Sequence, residues 1–504
     1  MEHLIPLFDF SPYVGAREET LDLIRQFAAH DAFRSAQVEE LELDEDFYRR
    51  PLRPEDLAFL QFKKPVRAET VSRLPSLASQ RLLLSLNEVA VARLPRDGGG
   101  EGFAHFDAYY SERNQVLGAR IRPFLENYAF DFAGHEAVSG ITVDAYGKRL
   151  VNLIADEKVF WAELFELLQR NDYLLEGLRF ILIQRWCLAP SRRVAVARAA
   201  ASGFFDAVAP GDQPRLATGL STGFAVTSPH DTLLARAAQF AGVAKQAHSY
   251  WQFYLPTSLA KCNLLYALSA RPNRAFALLG AAYAAEAEAL AFNSALVEAC
   301  PHLLGKTEAA ALVWHDAPRE LSGRFQRALA QIETHYGVSA LGQFGQGWGA
   351  GEKLAARARW DLGEQLRWLS RIEQYCQFAK QIALRVALEC PDIDRETFIE
   401  PREMCSTTHV HNDHRLVVIE SGEMIFWGNL GMQLKMNPGD MVLIPDGRLH
   451  GSTVVSDECT YHQPIIPDDW IAALSAAGGA AGNTTAHAAT VMETEIQAEM
   501  SANS

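Results

Sequence analysis

Apolar side chains near residues 17–30 and 68–93 recur at three- and four-residue steps, the spacing of one buried face of an amphipathic helix. The same texture continues downstream, enriched in Ala, Leu, Glu, Gln and Arg, all good helix formers. It predicts long helices near 156–186, 231–247, 251–270, 274–299, 319–334 and 352–389, with Gly and Pro mainly between them. Two prolines in Tyr48-Arg49-Arg50-Pro51-Leu52-Arg53-Pro54 forbid a continuous helix and predict an extended connector. Asp97-Gly98-Gly99-Gly100 predicts a flexible loop. The pattern divides this part into a helical N-terminal region, 1–135, and a bundle of six or seven helices, 136–390.

Near residue 391 the pattern changes. Asp392, Asp394 and Pro401 mark a break, and short β-rich runs follow, separated by turn residues. Leu416–Glu420, Glu423–Trp427, Gln433–Met436 and Met441–Ile444 read as strands. Ser421-Gly422, Gly428-Asn429-Leu430-Gly431, Asn437-Pro438-Gly439-Asp440 and Pro445-Asp446-Gly447 read as the turns between them. Such regular spacing predicts an all-β sandwich or barrel over 391–472. Residues 473–504, rich in Ala, Gly, Thr, Ser and Asn, lack the apolar residues that would offset their ordering entropy and read as a disordered tail. The fold class is therefore multidomain α + β: helical regions followed by a C-terminal β-barrel.

Composition narrows the possibilities. The 504 residues suffice for two or three domains, since single cores stop growing at roughly 250–300 residues. A formal net charge of −15 repels phosphate backbones, which argues against nucleic-acid binding. The first ten residues lack the basic start and apolar core of a signal peptide, and no uninterrupted apolar run reaches the roughly 20 residues needed to cross a bilayer. Seven scattered cysteines without a C-x-x-C pair read as reduced thiols, so a cytoplasmic location without membrane association is expected.

Five of the fifteen histidines fall between 409 and 462. On a strand, His409 and His411 lie on one face because side chains alternate with period two. Gly422 closes a hairpin eleven residues later; then come Gly439, five residues, Pro445-Asp446-Gly447, two residues and His450. This is the layout of the two cupin motifs, H-x-H with a later glycine and G-x5-P-x-G-x2-H, which the closed barrel brings together around a pocket. Three imidazoles suit Fe(II), Zn, Cu or Ni and leave coordination positions open. Where a cupin often supplies a fourth ligand, a Glu, this chain has Arg415, and Val454 stands where the second motif often ends in Asn. An open three-histidine site follows. His414 reads as a solvated loop residue rather than a ligand; it, Arg415, Trp427 and Tyr461 are candidate pocket residues, and His462 either lines the pocket or packs.

The chain resembles the N-nitrosourea-forming metalloenzymes of streptozotocin biosynthesis. The resemblance rests on Glu400-Pro401-Arg402, Thr408-His409-x-His411, Arg448-Leu449-His450-Gly451 and Ser456-Asp457-Glu458-Cys459 in the β region. Upstream it rests on Tyr48 to Pro54, Gln80-Arg81-Leu82-Leu83, Ile121-Arg122-Pro123, Tyr128-Ala129-Phe130 and Tyr250-Trp251-Gln252-x-Tyr254-Leu255. It covers nearly the whole chain except the tail. The resemblance implies a dimerising helical N-terminal domain, a heme-oxygenase-like helical domain with two irons that N-hydroxylates an arginine-type guanidine, and a cupin with one iron on three histidines. His409, His411 and His450 would be the iron ligands. In the central domain His230, Glu286 and His315 fall on ligand positions. Other ligand positions fall in Ala189–Val194, which contains no acid, and at about Leu220, Arg319 and Ser322. The expectation is a degenerate diiron site, with Glu288, Asp316 and Glu320 near enough to rescue it if the alignment slips by a helical turn.

The leading functional expectation is a cupin oxygenase with one Fe(II) per chain and O2 as cosubstrate. It would rearrange an N-hydroxylated arginine derivative and join two nitrogens, giving an N-nitroso or diazeniumdiolate product of natural-product biosynthesis. A separate N-hydroxylase would supply the small-molecule guanidine substrate, and the chain would work as a homodimer. Trp427, Tyr461 and Glu423 are candidates to receive the guanidinium. Two alternatives stand beside it: a bifunctional enzyme with both metal domains active, and a non-catalytic cupin sensor or scaffold.

Overall fold

The computed structural model describes residues 5–28, 77–88, 100–134, 142–188, 195, 229–243, 250, 253–301, 309–402, 405–411, 413–429 and 431–471. The Tyr48–Pro54 connector and the 473–504 tail lie outside the described residues. Eleven helices are described. They are α1 Arg17–Ala28, α2 Leu77–Glu88, α3 Gly100–Tyr109, α4 Glu112–Gly134, α5 Val143–Arg170, α6 Leu174–Arg185, α7 Pro229–Ala241, α8 Pro256–Ser269, α9 Ala275–Ala299, α10 Ala309–Leu369 and α11 Ile372–Glu389. Nine strands follow: β1 Thr397–Pro401, β2 Cys405–His409, β3 His414–Ser421, β4 Met424–Trp427, β5 Gln433–Met436, β6 Met441–Ile444, β7 His450–Val454, β8 Glu458–His462 and β9 Ile465–Ile466.

The helical unit shows how sequence period becomes core. In α5 the side chain of Thr142 caps the N-terminus by accepting from the Ala145 N–H at 3.2 Å. Tyr146, Leu150, Leu153, Ile154, Trp161, Leu164, Phe165 and Leu168 form its buried stripe. The segment expected as one helix over 156–186 is two: α5 ends at Arg170, and Asp172 adopts φ +52° before α6 begins. Residues 319–334 and most of 352–389 belong instead to α10, kinked at Gly337, and to α11.

Helix α9 is apolar on nearly every side because it is buried on nearly every side. The 28-residue span Pro272–Ala299 is apolar and long enough to cross a membrane, unlike anything expected from uninterrupted runs, yet most of it is buried in the helical core. Its crossing with α10 depends on two glycines. A Cβ on Gly347 would stand 1.8 Å from the Ala277 carbonyl oxygen, and one on Gly280 would stand 2.2 Å from that of Phe344.

The N-terminal helices share this core. Asn263 of α8 donates to the Gln80 carbonyl of α2 at 2.9 Å, and Asn87 of α2 donates to Asn263 Oδ1 at 3.0 Å, all fully buried. The region before 135 and the bundle after it accordingly belong to one compact unit, which runs to Ser370 and also includes Gly428–Met432.

The second unit begins at Arg371, one helix before the change of texture at 391. Helix α11 joins it because Ala379 and Ile382 pack with Leu416, Leu443, Ile466, Trp470 and Ile471. Two antiparallel sheets build the barrel. One has the order β1-β8-β3-β6, with β9 also on β3; the other has the order β2-β7-β4-β5. Alternation assigns the faces of the first sheet. Leu416 and Leu443, which are cross-strand partners, face α11. Arg415, Val417 and Ile419 face the opposite way, into the barrel, and Tyr461 pairs with Ile419 on that inner face. This is a cupin-like β domain that follows a helical bundle in the chain.

A Gly347→Val substitution should drive the α9–α10 crossing apart and lower stability by about 3 kcal/mol, read as a reduced urea midpoint and thermal transition.

Candidate metal centre

The pairing of β2 with β7 sets His409 directly opposite His450. His411 follows two residues after His409, just past the end of β2. The loop of the second motif holds it there: Gly447, at φ +75°, donates its N–H to the His411 carbonyl at 2.7 Å. A side chain at that left-handed position would be strained, which accounts for glycine in the motif.

The three imidazoles converge. Ring centroids lie 4.7 Å apart for His409 and His411, 4.5 Å for His409 and His450, and 5.1 Å for His411 and His450. One ligating nitrogen from each lies within 4.8 Å of the others. His409 Nε2 and His411 Nε2 are 3.2 Å apart. Two nitrogens bound about 2.1 Å from one ion at ordinary coordination angles stand roughly 3.0–3.4 Å apart, so the spacing fits a shared metal.

His450 is 2% exposed. Its Nδ1–H donates to the Arg448 carbonyl at 2.8 Å, which selects the tautomer with a lone pair on Nε2. That Nε2 is buried without a hydrogen-bond partner. Burial, first, and then the charges of His409 and Arg415 hold the His450 pKa well below its ordinary value, against the opposing bond to Arg448. A neutral, oriented imidazole with an unused nitrogen is the form that ligates a metal. The Phe426 ring stacks 5.5 Å from His450 and supplies an apolar wall.

The other pocket candidates separate by face. Arg415 faces inward, with its guanidinium bound to Glu396, to Asp413 at 2.8 Å and to the Gln463 carbonyl at 3.0 Å. Tyr461 also faces inward, stacked on Phe398 at 5.3 Å. His414 does not line the pocket, nor is it solvated. It is buried on the α11 side of β3, where Nδ1 accepts the Asp446 N–H at 3.0 Å and Nε2 lies 3.4 Å from Asp468. Trp427 is misassigned as well. It pairs with Gly451, whereas its neighbour Phe426 pairs with Ser452 on the face that carries His450. Period-two alternation therefore turns the Trp427 ring to the outer face, where its indole N–H reaches Thr453 Oγ1 at 3.4 Å. Glu423 sits beside the exposed β3–β4 turn, paired with Lys435 at 3.0 Å. His462 is on the outer face, 2.9 Å from Thr397 Oγ1 and 3.3 Å from Glu420. Sequence reading missed Phe426, whose orientation follows only from strand register.

In the helical unit two of the candidate carboxylates, Glu286 and Glu288, are held by cations. Glu286 on α9 is ion-paired with Arg324 on α10, and Glu288 with Lys261 on α8. Glu157 on α5 pairs with Arg359 at 2.7 Å; burial, more than the neighbouring Glu288 charge, raises its pKa. Arg319 and Ser322 lie on α10. His230 and His315 lie on α7 and α10, but their side chains, like that of Asp316, are outside the described residues, as are Ala189–Val194 and Leu220. Among the described residues, His409, His411 and His450 are the group of His, Cys, Asp or Glu side chains spaced to hold a metal ion. Among the described residues, Cys187, Cys262, Cys300, Cys376, Cys390 and Cys459 are not joined in disulfides.

Fold and site together define a cupin-like domain with a three-histidine candidate metal centre, carried by a helical chain. The sequence is similar to the nitrosourea synthase of Streptomyces achromogenes subsp. streptozoticus, at 27% identity over 492 residues that span 93% of this chain and 99% of the relative. No protein-family model matches the chain.

His450→Ala should weaken binding of a divalent metal by more than about 100-fold, exceeding the loss of an outer-sphere partner, as measured by metal analysis after dialysis. Arg324→Ala should leave Glu286 uncompensated and cost about 2–3 kcal/mol in the unfolding of the helical unit.

Proposed function

We propose that this chain is an N–N bond-forming oxygenase whose cupin domain holds one Fe(II) on His409, His411 and His450 and acts with O2 on an N-hydroxylated arginine derivative. The product is an N-nitroso or diazeniumdiolate compound of natural-product biosynthesis. The observation that carries this reading is the convergence of three imidazoles with His450 Nε2 buried, oriented and unpartnered. The full-length similarity to a nitrosourea synthase supports the reaction class. When bound, the iron would supply redox chemistry with O2 that side chains lack.

The protein's own contribution is positional. The Arg448 carbonyl fixes the His450 ring, and Gly447 fixes the His411 backbone. Phe426 excludes water from one side of the triad. Arg415 stands where a fourth, acidic ligand would be and is already bound to Glu396 and Asp413, so the ligand set stays at three and coordination positions remain for substrate and O2.

The same reading assigns no second metal site to the helical unit. An Arg324 guanidinium on Glu286 and a Lys261 ammonium on Glu288 place positive charge where two further irons would need negative charge. A separate N-hydroxylase then supplies the substrate, and the chain works as a cytoplasmic homodimer.

Anaerobic loading with Fe(II) should give about one iron per chain; about three would favour a bifunctional enzyme. Mixing with O2 and N-hydroxyarginine compounds should yield a product with a new N–N bond by mass and ¹⁵N labelling. Absence of such a product across the N-hydroxylated guanidines would sink the reading.

A further inference from the structure

The reading above leaves open what on the barrel wall recognises the substrate, since Trp427 and Glu423 both point elsewhere. Strand β1 supplies an answer. Its register pairs Phe398 with Tyr461 and Glu400 with Cys459. Tyr461 shares the inner face with Ile419, and Cys459, two residues earlier on β8, shares it by alternation. Cross-strand partners project to the same side of a sheet, so Glu400 and Phe398 face the barrel interior too. Ile399, between them, is 63% exposed and faces out.

These side chains form one cluster. Tyr461 is 5% exposed, and its ring stacks on Phe398 at an interplanar angle of 19°. Its hydroxyl is bonded to Glu400, and burial together with that carboxylate pushes its pKa up, so it stays protonated and donates. The Cys459 thiol is raised by burial and then by the same carboxylate. Phe398, at 40% exposure on the edge strand of its sheet, places the cluster where solvent reaches the barrel.

The chemistry is selective. A carboxylate offers about four acceptor positions, so it can hold the Tyr461 hydroxyl and still accept a second donor group. A guanidinium matches a carboxylate by two parallel N–H bonds and also stacks on aromatic faces. Arg415, the cation on the same inner face, is engaged by two carboxylates of its own, Glu396 and Asp413. Facing sheets stand about 10 Å apart, a span one small molecule can bridge between this wall and the histidines of the other sheet.

We infer that Glu400 and Tyr461 form the subsite for the cationic guanidinium end of the substrate, and that this subsite makes the barrel select positively charged over neutral arginine-type compounds. The inference rests on the cupin reading proposed above. Both residues are binding residues; neither is assigned a part in bond formation.

Calorimetry on the anaerobic, iron-loaded full-length protein tests it with two probes: Nω-hydroxy-L-arginine, which is cationic, and L-citrulline, its neutral urea analogue. Wild type should bind the hydroxyarginine at least about tenfold tighter, the size of a charge-assisted hydrogen bond. Glu400→Gln should abolish that preference by weakening hydroxyarginine alone, Glu400→Asp should keep part of it, and Tyr461→Phe should reduce it a few-fold. Iron content and thermal transition should match wild type in all three. A Glu400→Gln protein that keeps the preference overturns the subsite while leaving the proposed function standing. A wild type that binds neither probe overturns the subsite, while the proposed function stands or falls on the product assay. If Glu400→Gln fails to fold, an unchanged preference in Tyr461→Phe overturns the subsite.

Discussion

The hydrogen-bonded pairing of β2 with β7 is the constraint on which the candidate chemistry depends. It sets His409 opposite His450. Because side chains alternate with period two, a slip of one residue in this register would send one of the two imidazoles to the outer face of the barrel. The ladder is irregular between Ser406 and His409, so the strand alone does not define where His411 falls. The Gly447 N–H on the His411 carbonyl supplies the missing restraint and ties the second histidine motif to the first. The Arg448 carbonyl then fixes the His450 ring from the same loop. Backbone groups thus hold the main chain at His409 and His411 and the ring of His450, and pre-organisation of this kind would spare a metal site part of the entropy of ordering its ligands.

The helical unit solves a different problem. Its interior contains Glu157 and Glu288, which could not stay charged there alone, and Glu286 is half-buried. Each meets a cation from another helix: Arg359, Lys261 and Arg324. Pairs of this kind leave little negative charge to offer a metal. On the proposed reading, the unit's fold has outlived its metal chemistry, and the carboxylates of α9 now serve helix packing.

The legibility of the two halves differs for physical reasons. Helical period marked α1 and α9 closely, and α7 and α8 more loosely at one end, because a buried stripe at three- and four-residue steps is a local property. It failed at Asp172, where one left-handed residue splits α5 from α6, and it placed α11 with the bundle, because the stripe does not say what it packs against. Strands β5 and β6 were legible to the residue between their turns. The pocket wall was not. Trp427 and Phe426 are neighbours with similar chemistry, and only the pairing of Phe426 with Ser452 shows which one faces the histidines. His414 reads as a loop residue beside the H-x-H motif, yet burial on the α11 side and the Asp446 N–H claim it for structure.

The amino-acid sequence by itself determined the helix-then-strand order and the three histidines, because motif spacing encodes a turn-and-strand geometry that varies little once the turns are in place. Tertiary structure alone decided which neighbours share the inner wall, since facing depends on a cross-strand partner distant in the chain. It alone turned Glu400 and Tyr461 inward and Trp427 outward. It also decided that Glu286 meets Arg324, 38 residues away, a pairing across two helices that no local pattern contains.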